Sequence, residues 1–66
     1  MIEYIAEMWA RRRGGLNSPY EFNYLFIAEA ETGKEGLKLA EAEAAKQNKA
    51  DTNFWHKVRT FKPLDA

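Results

Sequence analysis

The absence of cysteine from a chain of only 66 residues is the feature that most limits how this sequence can fold. No disulfide can cross-link the fold, and no thiolate zinc site can form. A chain of this length buries only about 60% of the surface that its unfolded form exposes, so its core must be thin. We therefore expect a single domain, spanning 1–66, that is stabilised by close packing of its elements or by a partner.

The composition excludes some classes of protein and favours others. An apolar fraction of 45% is too high for a disordered chain, and a formal net charge of zero argues against a dedicated nucleic-acid binder. Two Trp, three Tyr and four Phe residues exceed what one small core needs. The aromatic excess therefore predicts an apolar surface that binds another protein, or a second copy of this chain in a homo-oligomer.

Location is predicted from what the sequence lacks. No stretch approaches the roughly 20 apolar residues of a membrane span. The first residues (MIEY) have neither the basic region nor the apolar region of a signal peptide. We expect no contact with membranes, a cytoplasmic location and, from the initial Met1, a complete small reading frame.

The first segment, 2–13, has the spacing of an amphipathic helix. Its apolar residues recur at helical spacing, and its acidic residues precede its arginines, as the helix dipole favours. Gly14 and Gly15 would supply the left-handed stop. A strand would place charged and bulky residues on the same face, so we interpret this segment as a helix.

The second segment carries conflicting signals. Ser18, Pro19 and Glu21 form an N-cap, a first helical position and a capping box, which predict a helix up to residue 31. The aromatic residues over 20–28 alternate strictly, however, as in a strand. We interpret the segment as a helix, and the strand stays open as the alternative.

The third segment, 33–48, is the clearest helix of the chain. Thr32 and Glu35 form a capping box, and Leu37, Ala40 and Ala44 recur at helical spacing. Because this apolar face consists mainly of small side chains, we expect it to pack closely against the preceding aromatic run.

The last segment follows a polar connector, 47–53. Phe54, Trp55, Val58 and Phe61 have the spacing of a short amphipathic helix, although a strand is the alternative, and Pro63 ends the segment. The predicted fold class is mainly α, a compact bundle of three to four short helices. The alternative is an α+β fold in which a β-hairpin is followed by a helix and a strand.

The sequence contains no recognisable catalytic, metal or cofactor site. His56 is the single histidine and has no nucleophile in a readable arrangement, so we expect it at a surface or an interface. The glycines do not have the spacing of a phosphate loop. We therefore predict a protein that is not an enzyme and has no cofactor.

Two clusters of aromatic and basic residues are the candidate binding sites. Trp, Tyr and Arg most often anchor protein interfaces. The predicted partner-binding residues are Trp9, Arg11, Arg12, Arg13, Trp55, Lys57 and Arg59. The three consecutive arginines have two other interpretations. They could bind nucleic-acid phosphates, or they could form the solvated last turn of a helix.

Three pieces of the chain resemble the small tail assembly chaperones of long-tailed bacteriophages. They are 9–17 (WARRRGGLN), 25–28 (LFIA) and 61–65 (FKPLD). The resemblance implies a mostly helical, non-enzymatic helper that keeps the tail tape-measure protein soluble while tail tube subunits are recruited. It also implies that the helper is absent from the finished particle.

A second resemblance is to the small inhibitor of host RNA polymerase made by short-tailed phages. It is carried by 30–32 (AET), 35–41 (EGLKLAE) and 58–63 (VRTFKP). This family has a β-hairpin, a helix and a third strand, and its basic residues before the terminal proline would fall on Thr60 and Lys62. The resemblance implies a protein of the host cytoplasm that binds and blocks an enzyme.

Overall fold

The computed structural model of the protein describes residues 1–14 and 21–65, which form a three-stranded antiparallel sheet and one helix. In chain order the elements are β1 (Ile2–Arg12), β2 (Glu21–Ala30), α1 (Gly33–Ala50) and β3 (Phe54–Pro63). β1 lies in the centre of the sheet, between β2 and β3. α1 packs on one face of the sheet and leaves the other face open.

The prediction of a mainly α bundle is wrong, and the alternative α+β fold is the one observed. Segment 2–13 forms β1 because it pairs with a strand on both sides, which turns every second side chain toward α1. The inward-facing Ala6, Met8 and Ala10 are fully buried. Their burial depends on elements that are distant in sequence, and this outweighs the preference of alanine for helices. Gly14 is left-handed, with φ of 58°, but it follows a strand instead of ending a helix.

From Glu21 onward, β2 follows the alternation that the sequence shows, so the helix interpretation of this segment is also wrong. Tyr24 and Phe26 pack against the core under α1, whereas Leu25 and Ile27 are 64% and 45% exposed on the other face. The predicted start signals at Ser18 and Pro19, and the glycine at position 15, lie outside the described residues. A regular ladder with β1 along the whole strand stabilises the extended conformation.

α1 confirms the helix that the sequence predicts over 33–48 and extends it slightly. The hydroxyl oxygen of Thr32 accepts a hydrogen bond from Glu35 N at 3.2 Å, as an N-cap does. The buried face of α1 consists of Gly36, Ala40 and Ala44. These small side chains let the helix approach the sheet closely. Within the part of the chain that the structure describes, no helix has the length and apolar character needed to cross a bilayer.

A β-bulge in β3 decides which of its side chains face α1. The pairing with β1 shifts by one residue between Glu7 and Met8, where Arg59 is the extra residue. Because of this shift, Val58 and Phe61 both pack toward the helix although three positions separate them. The helix prediction for this segment is therefore wrong, and the bulge is the source of part of the helix-like spacing.

The core is a thin layer between α1 and the sheet. Its buried apolar members are Tyr4, Ala6, Met8, Ala10, Ala28, Ala30, Ala40 and Ala44. Met8 is the largest fully buried side chain in the described ranges. At one end of the layer, the rings of Tyr4 and Phe61 stack with centroids 5.1 Å apart, and Gly36 lies against both rings. Core packing of this kind depends on close approach of the backbones more than on bulky side chains.

Candidate functional site

The face of the sheet that α1 leaves uncovered carries apolar and charged side chains side by side. Alternation along β1 and β2 places their odd-numbered residues on this face, and β3 adds the residues that pair with those of β1, together with Arg59 at the bulge. We call this surface the open face. It contains Glu3, Ile5, Glu7, Trp9, Arg11, Glu21, Asn23, Leu25, Ile27, Glu29, Trp55, Lys57, Arg59, Thr60 and Lys62.

Pairing between β1 and β3 brings the two predicted binding clusters together. Trp9 is directly opposite Lys57, and Arg11 is directly opposite Trp55, so tryptophans and cations alternate across the two strands. The Nζ of Lys57 lies 4.3 Å from the centroid of the Trp9 ring, in a cation–π contact. We call these four residues and Arg59 the tryptophan patch. It unites five of the seven residues that the sequence predicts.

Two carboxylates lie beside the tryptophan patch and form only weak ion pairs with its cations. Arg59 Nε is 3.7 Å from Glu7 Oε1, and Arg11 Nε is 4.0 Å from Glu21 Oε1. The indole N–H of Trp9 donates to Glu21 Oε2 at 3.2 Å. Ion pairs this exposed contribute about 0–1 kcal/mol, so a partner's carboxylates can replace them at little cost. A depression of about 270 Å³ among these side chains leaves room for such a group.

The three consecutive arginines do not form one cationic surface. Arg11 belongs to the open face, whereas Arg12 lies on the opposite side of β1. Arg13 is half-buried. Its Nε donates a hydrogen bond to Phe54 O at 3.1 Å, and its Nη2 donates one to Asn48 O near the end of α1. Its guanidinium also lies 3.7 Å from the centroid of the Trp55 ring. Arg13 therefore positions Trp55, and its donors are largely engaged within the fold.

The other half of the open face is aliphatic. Ile5 and Ile27 are directly opposite each other on β1 and β2, and Leu25 follows on the same face. Leu25 is 64% exposed, which is unusual for a leucine in a strand. Together with Trp55, 55% exposed, these side chains give the open face an apolar surface that soluble sheets normally cover.

His56 is buried, contrary to the expectation of a surface or interface histidine, and both of its ring nitrogens have partners. It is 7% exposed, with Nε2 2.9 Å from Asp51 Oδ2 and Nδ1 2.8 Å from the hydroxyl oxygen of Tyr24. The consistent arrangement has Nε2–H donating to the carboxylate and the phenol donating to Nδ1. The amide of Asn48 also accepts from His56 N at 2.5 Å and donates to His56 O at 3.1 Å.

The pKa shifts in this chain of hydrogen bonds favour the same arrangement. Burial raises the pKa of the Tyr24 phenol, and the charges of Glu43 and Asp51 raise it further. The hydrogen bond from His56 lowers the pKa of Asp51, and two backbone N–H groups of the following turn lower it as well. The phenol is therefore a proton donor and the carboxylate an acceptor at neutral pH. The sequence does not predict this site, because the helix interpretation of the segment does not place His56 on the inner face of a strand.

A groove of about 290 Å³ lies between α1 and β3 and is lined by Glu41, Ala44, Ala45, Asn48, His56, Lys57 and Val58. Since both ring nitrogens of His56 are already hydrogen-bonded, the ring has no free nitrogen for a ligand in this groove. Within 1–14 and 21–65, no group of three or more His, Asp and Glu side chains is arranged to hold a metal ion.

Comparison of the chain with protein-family models, with curated proteins and with solved structures finds no significant match.

Proposed function

We propose that the protein is a non-enzymatic binding module that docks its tryptophan patch onto an acidic surface of a partner protein. The observation that carries this proposal is the cross-strand pairing of Trp9 with Lys57 and of Arg11 with Trp55. Large aromatic rings beside exposed cations are the combination that most often anchors protein interfaces. The adjacent aliphatic half of the open face would extend the buried area.

A protein partner fits this surface better than a nucleic acid. Glu7 and Glu21 lie between the cations of the patch, so the patch offers no continuous positive track for a phosphate backbone. A cation already lies over each tryptophan ring, which leaves less ring surface for base stacking. Carboxylates of a protein can instead meet the cations one by one, in place of the patch's own glutamates.

The order of elements favours one class of partner. The phage inhibitors of host RNA polymerase have a β-hairpin, a helix and a third strand, and this chain has the same order. Lys62, one of the two positions where those inhibitors are basic, pairs with Ile5 of the open face. We therefore propose a phage-encoded protein that binds and blocks a host enzyme such as RNA polymerase. A role in tail assembly implies a mostly helical chain, so it receives less support.

The proposed compartment is the cytoplasm of the host cell. A small domain without cysteine suits a reducing environment, in which disulfides do not form.

Binding to purified bacterial RNA polymerase, together with transcription in vitro, tests the proposal. The natural chain should bind the polymerase and reduce transcription, and Trp55→Ala and Lys57→Glu should each weaken binding. For Trp55→Ala we expect a loss of about 2 kcal/mol, or about 30-fold, as for a central aromatic anchor. Leu39→Ala is the matched control, because Leu39 is 45% exposed on α1, away from the open face.

Each alternative has a distinct result. If a different protein is captured from phage-infected cells and its capture depends on Trp55, the chain is a binding module whose partner is not the polymerase. If the chain binds single-stranded RNA or DNA in a salt-sensitive manner and Trp55→Ala abolishes this binding, the partner is a nucleic acid and not a protein. Equal binding by all variants would contradict the assignment of the tryptophan patch.

A further inference from the structure

β2 is an edge strand that lacks most of the features by which proteins normally protect an edge, and its charges are confined to the two glutamates near its ends. It pairs with β1 alone, and its register is regular from Glu21 to Ala30, without a bulge. Its sequence, EFNYLFIAEA, contains neither lysine, arginine nor proline. From Asn23 to Glu29, the described residues supply no hydrogen bond to its outer backbone groups. Such an edge is a template for another strand.

β3, the opposite edge, is protected in several ways. It contains a bulge at Arg59, carries exposed lysines at positions 57 and 62, and ends at Pro63. The side-chain amide of Asn48 occupies both the N–H and the carbonyl of His56, as a neighbouring strand would. The contrast between the edges of one small sheet indicates that β2 is the edge available for pairing.

The charges of β2 disfavour a second copy as the occupant. In an antiparallel pair of β2 strands centred on Leu25, each Leu25 meets its counterpart, and each Glu21 faces the other copy's Glu29. Like charges directly opposite each other destabilise a sheet. Within this molecule Glu29 of β2 already faces Glu3 of β1, which places two carboxylates side by side at this end of the edge. An incoming strand with cations at both ends would relieve this repulsion.

We infer that the outer edge of β2 binds an extended segment of a partner protein, in which two basic residues flank an aliphatic centre. In antiparallel register, basic residues lie opposite Glu21 and Glu29, and aliphatic residues lie opposite Leu25 and Ile27. Backbone hydrogen bonds would supply affinity, and these alternate side chains would supply selectivity. The backbone edge of β2 is a different surface from the tryptophan patch, although Glu21 also contacts Trp9 and Arg11 of that patch. Strand pairing at this edge requires no partner at the patch, so the inference does not depend on the proposed function.

A synthetic peptide, KTVTVTSTK, tests the inference, because its side chains are spaced for the proposed antiparallel register with β2. Its lysines match the spacing of Glu29 and Glu21, and its valines match Ile27 and Leu25. Titration into the full ¹⁵N-labelled chain, followed by NMR, should shift the amide resonances of β2 and leave those of β3 unchanged. A peptide with glutamates in place of both lysines should bind about tenfold more weakly. A peptide with proline at the central valine should lose binding because it cannot complete the ladder.

Two variants of the protein separate an edge effect from loss of folding. Leu25→Lys places a protecting charge on the exposed edge and should abolish binding. Thr60→Lys makes the matched change on β3 and should have no effect, while CD spectra of both variants stay unchanged. The absence of β2 shifts at millimolar peptide, shifts centred on β3, or a concentration-dependent dimer through β2 would each overturn the inference.

Discussion

At the scale of single residues, His56 shows how a buried polar group can hold three elements together. Its ring joins Tyr24 of β2 to Asp51 at the end of α1, while its backbone is bound by Asn48. No buried side-chain polar atom in the described ranges lacks a hydrogen-bond partner. A fully satisfied network of this kind specifies how the helix end sits on the sheet.

The lowered pKa of Asp51 makes a prediction about acid stability. The folded state binds a proton on this carboxyl less tightly than the unfolded chain does, because the ionised form accepts hydrogen bonds from His56 and the turn. This stabilisation is complete above the usual aspartate pKa of about 3.9 and is lost as the pH falls through the lower folded value. Asp51→Asn should therefore be less stable than the natural chain at neutral pH and should lose less stability on acidification.

Urea denaturation at about pH 7 and about pH 3 measures this difference. Asp65→Asn, a change at an exposed carboxyl near the end of the chain, is the control and should follow the natural protein. Parallel pH dependence of the natural chain and Asp51→Asn would show that the hydrogen bond to His56 contributes nothing to folding.

At the scale of elements, the approach of α1 to the sheet depends on one glycine. A Cβ atom on Gly36 would lie 2.8 Å from Phe61 Cζ and 2.9 Å from Tyr4 Cδ1. These two rings are stacked on each other, and Tyr4 is buried, so neither ring can move aside freely. The glycine is therefore required by the contact between the helix and the stacked pair.

Gly36→Ala should reverse the usual effect of alanine in a helix. Replacing a helical glycine by alanine normally stabilises by about 1 kcal/mol. Here we expect destabilisation by about 1–3 kcal/mol, because the added methyl group overpacks the contact. Gly33→Ala is the matched control at the start of the same helix, where the nearest atom is 3.9 Å away. Thermal or urea denaturation compares them, and equal stabilisation by both changes would contradict the packing described.

The elements also show which parts of the fold can be read from the sequence. The N-cap at Thr32 and the small-residue face of α1 are local features, and the sequence predicts both correctly. The sequence does not predict β1, because the inward residues of this strand include Ala6 and Ala10, which become core only when a distant helix covers them. The sequence does not predict β3 either, because a bulge at Arg59 imitates helical spacing. The predicted binding residues are chosen by chemical type, and only the register of the strands shows that five of them lie side by side.

At the scale of the whole molecule, the protein is a thin slab. Its Cα atoms extend over 43 × 22 × 13 Å, which corresponds to one helix on one sheet. With a single covered face, the chain buries few large side chains, and Met8 is the largest that is fully buried. The total stability of so small a core is limited to about 3–5 kcal/mol.

Met8→Ala should therefore unfold a large fraction of the molecules. Truncation of a fully buried methionine costs about 2–5 kcal/mol, which is comparable to the whole stability of such a domain. Far-UV CD and urea denaturation would detect the loss, and Leu39→Ala, at an exposed position on α1, should leave the unfolding midpoint nearly unchanged. A stable, fully folded Met8→Ala variant would show that the core does not centre on β1.

The bulge in β3 has an evolutionary consequence. Deletions inside a strand usually invert the side chains that follow them, but removal of Arg59 would leave a regular ladder in which Val58 and Phe61 keep their β1 partners. We therefore expect folding to tolerate a change of length at this point, with the loss of one cation from the tryptophan patch, and descendants of a common ancestor to differ by one codon between these two hydrophobic positions.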